Sequence, residues 1–302
     1  MERVANDIKN RLSLRPPQIE SLDILADIAN KLPLNKRHDL ITELEKVKSA
    51  YPICTDFERK FPSICFALAT GVGKTRLMGA FIAYLYLTRD IKHYFVLAPN
   101  LTIYNKLIED FSNAAHPKYV FKGIVEFAYN PPAIVTGDNY AYSKLFESYV
   151  HINIFNISKI NAETKGGKPP RIKRLSEYLG ESYFDYLSNL DDLVVLMDES
   201  HHYRADRGME VINELRPIIG LELTATPQIE SSKGAIKFKN VVYEYSLSKA
   251  IRDGFVKEPA VATRKDFDPS KYSVDELDRI KLEDGIRIHE DTNPKTEIKK
   301  IK

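Results

Sequence analysis

Residues 68–75 read Leu-Ala-Thr-Gly-Val-Gly-Lys-Thr, a glycine-punctuated stretch that ends in an amine and a hydroxyl. That combination wraps an anion. Gly71 and Gly73 lack the side chains that would hold backbone N–H groups away from a phosphate. Thr70 and Val72 complete the turn, Lys74 reaches β- and γ-phosphates, and the Thr75 hydroxyl ligates Mg²⁺. The strict pattern wants glycine where this chain has Leu68. A second candidate lies at 193–199, where the apolar run Leu-Val-Val-Leu-Met ends in Asp198 and Glu199. There Asp198 holds a divalent cation through its water shell, and Glu199 orients and deprotonates an attacking water. A third is Ile219-Gly-Leu-Glu-Leu-Thr-Ala-Thr-Pro, whose terminal hydroxyls, Thr224 and Thr226, lie where they can bond the carboxylate strand.

These residues need elements to position them. The run 63–69 suits a buried strand, and the proline-free pattern from Arg76 to Leu87 suits a helix, so the glycine turn sits at a helix N-terminus that favours anions. Further strands are expected at 94–98, 123–127, 133–136, 151–156, 193–198 and 220–224. Their alternation with helical stretches predicts an α/β protein, a mainly parallel sheet with helices on both faces. Pro227 stops the last of these strands, and residues 1–60 read as mostly helical, punctuated by Pro33 and Pro52.

In order, Ala-Thr-Gly-Val-Gly-Lys-Thr, Asp-Glu-Ser-His and Thr-Ala-Thr-Pro resemble motifs I, II and III of superfamily 2 helicases and translocases. Leu14-Arg-Pro-Pro-Gln looks like their adenine-side motif, which puts Arg15 and Gln18 at the nucleotide. Val96-Leu-Ala-Pro-Asn-Leu looks like motif Ia, whose loop touches the nucleic-acid backbone, here through Pro99 and Asn100. The histidine after Asp-Glu-x, His201, would couple nucleotide state to Thr224 and Thr226. The phrases at 154–161, 198–205 and 245–257 are most similar to restriction-enzyme Res subunits of the type III kind. The resemblance covers about residues 12–260. It implies a RecA-like P-loop NTPase domain at 61–250, a helical segment before it at 1–60, and a linker toward a second RecA-like domain at 251–302. It also implies ATP and Mg²⁺, with Lys74 and Glu199 catalytic. DNA is the expected track, duplex more readily than RNA, with a methyltransferase or specificity subunit as a further partner. Competing expectations are an RNA helicase of the DEAD/DEAH type, against which the Asp-Glu-Ser-His variant argues, and a nucleotide-gated DNA- or protein-binding module without turnover.

A net charge of +2 supplies no global basic field, so any nucleic-acid contact must come from local patches. One such patch is 161–174, which carries Lys165, Lys168, Arg171, Lys173 and Arg174 on a glycine–proline frame. It reads either as a solvated loop or as a basic finger along a backbone. Cys54 and Cys65 fit no metal spacing. No signal-peptide core or membrane-length apolar run occurs, so a cytoplasmic location is expected. From residue 274 to 302 a polar helix is expected. No second RecA-like strand pattern and no nuclease cluster follow residue 260, so the reading expects an amino-terminal fragment or truncated product.

Overall fold

The computed structural model describes residues 1–137, 139, 150–156, 183–204, 206–231, 234–257, 264 and 267–292. Its strands are β1 (Ser63–Leu68), β2 (His93–Ala98), β3 (Ala133–Val135), β4 (His151–Asn156), β5 (Leu193–Asp198), β6 (Ile219–Thr224), β7 (Gln228–Ser231), β8 (Gly234–Lys237) and β9 (Val241–Tyr245). Seven of them form one sheet of order β3-β4-β2-β5-β6-β1-β9, and every pairing in it is parallel. β7 and β8 form a separate antiparallel hairpin.

Side chains that alternate along the strands divide between two apolar layers. Tyr94 and Val96 of β2, with Val194 and Leu196 of β5, join one core, while Phe95, Leu97, Val195 and Met197 join the other. The first layer is completed by α1 (Glu2–Arg11), α2 (Pro16–Lys31), α4 (Lys74–Arg89) and α5 (Leu101–Ser112), with Val47 from α3 (Leu40–Ala50). The second takes Tyr183, Phe184 and Leu187 from the helix Tyr183–Asn189 and Ile212 from the helix Asp206–Glu214. A parallel sheet buried on both faces is the expected α/β arrangement, of RecA-like type. Each fully buried Leu, Ile or Phe contributes about 1.5–3 kcal/mol by leaving water, and β5 is buried along its whole length.

The strand expected at 123–127 is a correction. The chain turns there and enters a short helix, α6 (Val125–Tyr129). Phe127 packs edge-on to Phe121 with ring centroids 4.6 Å apart and stacks on Tyr86 at 5.5 Å, while Val125 is exposed. Aromatic packing on one side decides the backbone there, against the local β-branched content. The hairpin and β9 have no counterpart in the sequence reading.

The chain divides into two compact units, Met1–Lys257 and Glu258–Lys302. In the second, a helix spans Val274–Thr292, and Arg264 grips Asp284 through two hydrogen bonds of 2.7 and 2.8 Å. No helix among the described residues is long and apolar enough to cross a membrane.

α4 fits against the segment after α5 with no room to spare. A Cβ on Gly79 would stand 2.7 Å from Val120 Cβ and 2.9 Å from its carbonyl oxygen. Gly79→Ala gains about 1 kcal/mol of helix propensity, but the contact is with main chain that cannot rotate away. The expected net result is a loss of about 1–3 kcal/mol, the usual cost of overpacking, read as a lower urea midpoint with unchanged slope.

Candidate active site

β1 delivers the chain to the glycine turn, and Leu68 and Val72 bury themselves in the first core on either side of it. Gly71 and Gly73 take positive φ of 86° and 102°, a backbone that L side chains rarely adopt. Gly73 caps α4, so the first N–H groups of that helix open onto the turn. Residues far upstream hold this shape. Arg15 Nη1 donates to the Gly71 carbonyl at 2.9 Å, and Gln18 Nε2 donates to the Gly73 carbonyl at 2.8 Å. Gln18 is buried, and its Oε1 accepts from the Arg15 N–H at 2.8 Å. These two bonds occupy one N–H and one lone pair of its four hydrogen-bonding positions.

The end of β5 brings the carboxylates to the same place. Lys74 Nζ lies 2.9 Å from Glu199 Oε1. Asp198 is buried beside them, and its Oδ1 accepts from the Glu199 N–H at 3.1 Å. Burial, and then the Glu199 charge, push Asp198 up to about 6, with Lys74 pulling the other way. Glu199 itself sits at φ +49°, in the left-handed region, at the head of a 3₁₀ turn spanning Ser200–Tyr203. The donor set of Thr75 hydroxyl, Asp198 carboxylate, phosphate and water oxygens suits Mg²⁺, which keeps several waters. Among the described residues no group of three or more His, Cys, Asp or Glu could hold a metal by itself.

His201 reaches the next strand. The Thr224 hydroxyl donates to the Thr226 carbonyl at 3.1 Å and accepts from the Thr226 N–H at 3.0 Å. Its one proton is thereby used, so the 3.0 Å contact with His201 Nδ1 requires Nδ1 to carry the hydrogen. Burial, and then His202, hold His201 below its ordinary 6.5, so the ring is neutral at pH 7. Glu199 Oε2 also accepts from the Ala225 N–H at 3.4 Å.

A single cavity of about 570 Å³ collects Arg15, Gln18, the loop 70–75, Asp198 and Glu199. The sequence matches the family described as type III restriction enzyme, res subunit, over residues 11–229. The chain belongs to that family. Family and fold together make it a helicase-like ATPase motor domain. No curated protein matches the sequence. Among solved structures it is similar to a Sulfolobus solfataricus SWI2/SNF2 ATPase core in complex with dsDNA, at 15% identity and TM-score 0.37, over 71% of this chain and 32% of that one. It is also similar to a nuclease-deletion mutant of the type ISP restriction-modification enzyme LlaGI in complex with a DNA substrate mimic. There the identity is 9% and the TM-score 0.41, over 85% of this chain and 23% of that one. The chain thus spans a third or less of the length of either structure.

The res-family chain adds groups to its cleft that sequence reading did not select. Lys106 and Asp110 of α5 and Lys118 after it line the same cavity. Asp110 is buried, with Oδ1 3.2 Å from His116 Nδ1, and burial raises its pKa. Lys106 and Asp110 are four residues apart on one helix, a spacing visible in the sequence once motif Ia is seen to start α5. The expected nucleic-acid residues fare differently. Asn100 caps α5, its side chain accepting from the Ile103 N–H at 2.9 Å, and Pro99 precedes it in the bend after β2. Lys165, Lys168, Arg171, Lys173 and Arg174 lie outside the described residues.

Behind the cleft, Glu222 of β6 is fully buried between two arginines. Its Oε1 accepts from Arg59 Nε at 2.9 Å, the Ser63 hydroxyl at 2.8 Å and Asn240 Nδ2 at 3.1 Å, and its Oε2 from Arg204 Nη2 at 2.6 Å. Burial alone would raise its pKa; Arg59 and then Arg204 outweigh it and hold the carboxyl at about 2, against an ordinary 4.5. A depressed carboxylate contributes stability that is complete above 4.5 and is lost as pH falls toward 2. Glu222→Gln should therefore cost about 3–5 kcal/mol at neutral pH, as breaking buried pairs does. It should also flatten the acid limb of a plot of unfolding free energy against pH. An unchanged acid limb would remove Glu222 from that account.

Proposed function

We propose that this chain is the first motor domain of a DNA-dependent ATPase of the restriction type, hydrolysing ATP by in-line attack of water on the γ-phosphate. One observation carries the reading: Lys74, Asp198 and Glu199 converge in one cavity on a glycine cradle, with Lys74 and Glu199 in contact at 2.9 Å. In this scheme the loop N–H groups and Lys74 hold the β- and γ-phosphates, and their charge, fixed before reaction, favours the transition state. Glu199 orients the water and takes its proton. Mg²⁺, held by Thr75 and Asp198, would add charge neutralisation at the β- and γ-oxygens. Arg15 and Gln18 flank the adenine end, and His201 relays nucleotide state to Thr224 and Thr226. Duplex DNA would run past Pro99 and Asn100, with Lys165, Lys168, Arg171, Lys173 and Arg174 as further backbone contacts. Residues 61–250 would be the motor core, 1–60 its adenine-side segment, and 251–302 the lead into a second RecA-like domain, with a methyltransferase or specificity subunit as partner. The rival reading, a nucleotide-gated binding module, draws on the same 2.9 Å contact, because it ties the base to the lysine.

Two substitutions separate these readings. Lys74→Ala should weaken Mg·ATP binding about tenfold or more, the worth of one charge-assisted hydrogen bond; calorimetry giving the parental Kd would refute the cradle assignment. Glu199→Gln should leave affinity within about twofold while single-turnover hydrolysis falls about 10²–10⁴-fold, as expected for loss of a general base. If the parent cleaves no bound ATP, with or without duplex DNA, the binding-module reading takes its place.

A further inference from the structure

The turn that carries Glu199 is held at both ends, and the far hold is Arg204, which has no part in the nucleotide site as described so far. Glu199 occupies φ +49°, a conformation that a non-glycine residue keeps only where its surroundings over-determine it. At the near end, Lys74 and the Ala225 N–H fix its carboxylate. The turn then inserts Ser200 and Tyr203, both fully buried, and closes on Arg204. Arg204 Nη1 donates to Glu58 Oε2 at 2.6 Å, and Nη2 donates to Glu222 Oε2 at 2.6 Å and Asn240 Oδ1 at 3.0 Å. Its guanidinium also lies 3.8 Å over the Phe238 ring. One planar group thereby joins the end of the turn to β6, to the segment before β1, and to the residue preceding β9.

Breaking these pairs is costly, yet stability alone does not explain why they stand where apolar packing could. Buried ion pairs gain little over apolar packing of the same shape. Here Arg59 keeps Nη1 and Nη2 without a hydrogen-bond partner among the described residues, as does Nε of Arg204. What the arrangement does supply is register. Glu222 and Thr224 point from the same face of one strand, so Arg204–Glu222 and His201–Thr224 lace the turn to β6 at two points. With both laces tied, the turn cannot relax Glu199 toward an ordinary backbone.

We propose that Arg204 is a positioning residue for the reaction, clamping the Glu199–Arg204 turn to β6 so that the Glu199 carboxylate stays aimed at the attacking water. The inference rests on the ATPase reading. Arg204→Lys keeps a cation beside Glu222 but cannot bridge Glu58, Glu222 and Asn240 together; Arg204→Met removes the charge and keeps much of the length. Three measurements on the whole chain decide the matter: calorimetry with a non-hydrolysable ATP analogue and Mg²⁺, single-turnover cleavage of ATP by excess protein, and thermal melting. The expected result for both variants is a Kd within about twofold of the parent and a cleavage rate lowered by about 10²-fold, the scale on which small misplacements act. Thr224→Val should show the same split, and combining it with Arg204→Lys should give less than the product of the two effects, because both loosen one turn. Parental cleavage by Arg204→Lys overturns the inference alone. Variants that no longer bind nucleotide make Arg204 a structural residue and overturn it as well. No cleavage by the unmodified chain overturns the ATPase reading, and this inference with it.

Discussion

Every pairing in the main sheet is parallel, and that constraint shapes the rest of the molecule. Parallel neighbours cannot be joined by a tight hairpin, so after each strand the chain must leave the sheet and cross back over a face. Both faces are consequently covered, and every strand finishes at the same edge. That edge is where backbone polar groups emerge from an apolar interior and where helix N-termini gather. The glycine turn after β1, the carboxylates after β5 and the threonines after β6 lie close together because β1, β6 and β5 are consecutive neighbours in the sheet.

At that edge the polar groups are paired rather than solvated. Lys74, Glu199, His201, Thr224 and the main chain of 225–226 form one connected path from cradle to third strand. Asp198 takes the Glu199 N–H but no cation at bonding distance among the described residues, and its raised pKa records the cost of charge in a desolvated place beside another anion. A cation there would lower that cost, which is the electrostatic argument for proposing it as a ligand.

Much of this was legible because the relevant signals are local. The strand–glycine–helix order needs only adjacent residues, and the run 193–198 announces a buried strand by continuous apolarity that stops at Asp198 and Glu199, while 219–224 keeps enough apolar positions to be read as a strand despite Glu222 inside it. The failures were of two physical kinds. At 123–127 the backbone was decided by Phe121 and Tyr86, partners outside the window. The second kind is long-range polar closure: Arg204 meets Glu58 and Glu222 across 146 and 18 residues, and Gln18 meets Gly73 across 55. Sequence supplies the residue types for such contacts but no measure of their distance. Gln18 was found through a motif, whereas Arg204, although inside the phrase 198–205, was given no role by it.

The supports of the cradle share one property. Arg15 bonds the carbonyl of Gly71, Gln18 the carbonyl of Gly73, and Arg76 returns the tie by donating to the carbonyl of Leu12 at 2.9 Å. Each acceptor is main chain, present whatever side chain the position displays. Mutational drift along residues 68–73 can therefore change what the loop shows without cutting the struts that shape it, provided the two glycine backbones survive. Leu68 is consistent with this: where the strict pattern has glycine, this chain has a leucine that ends β1 and packs into the core, and the turn beyond it still closes.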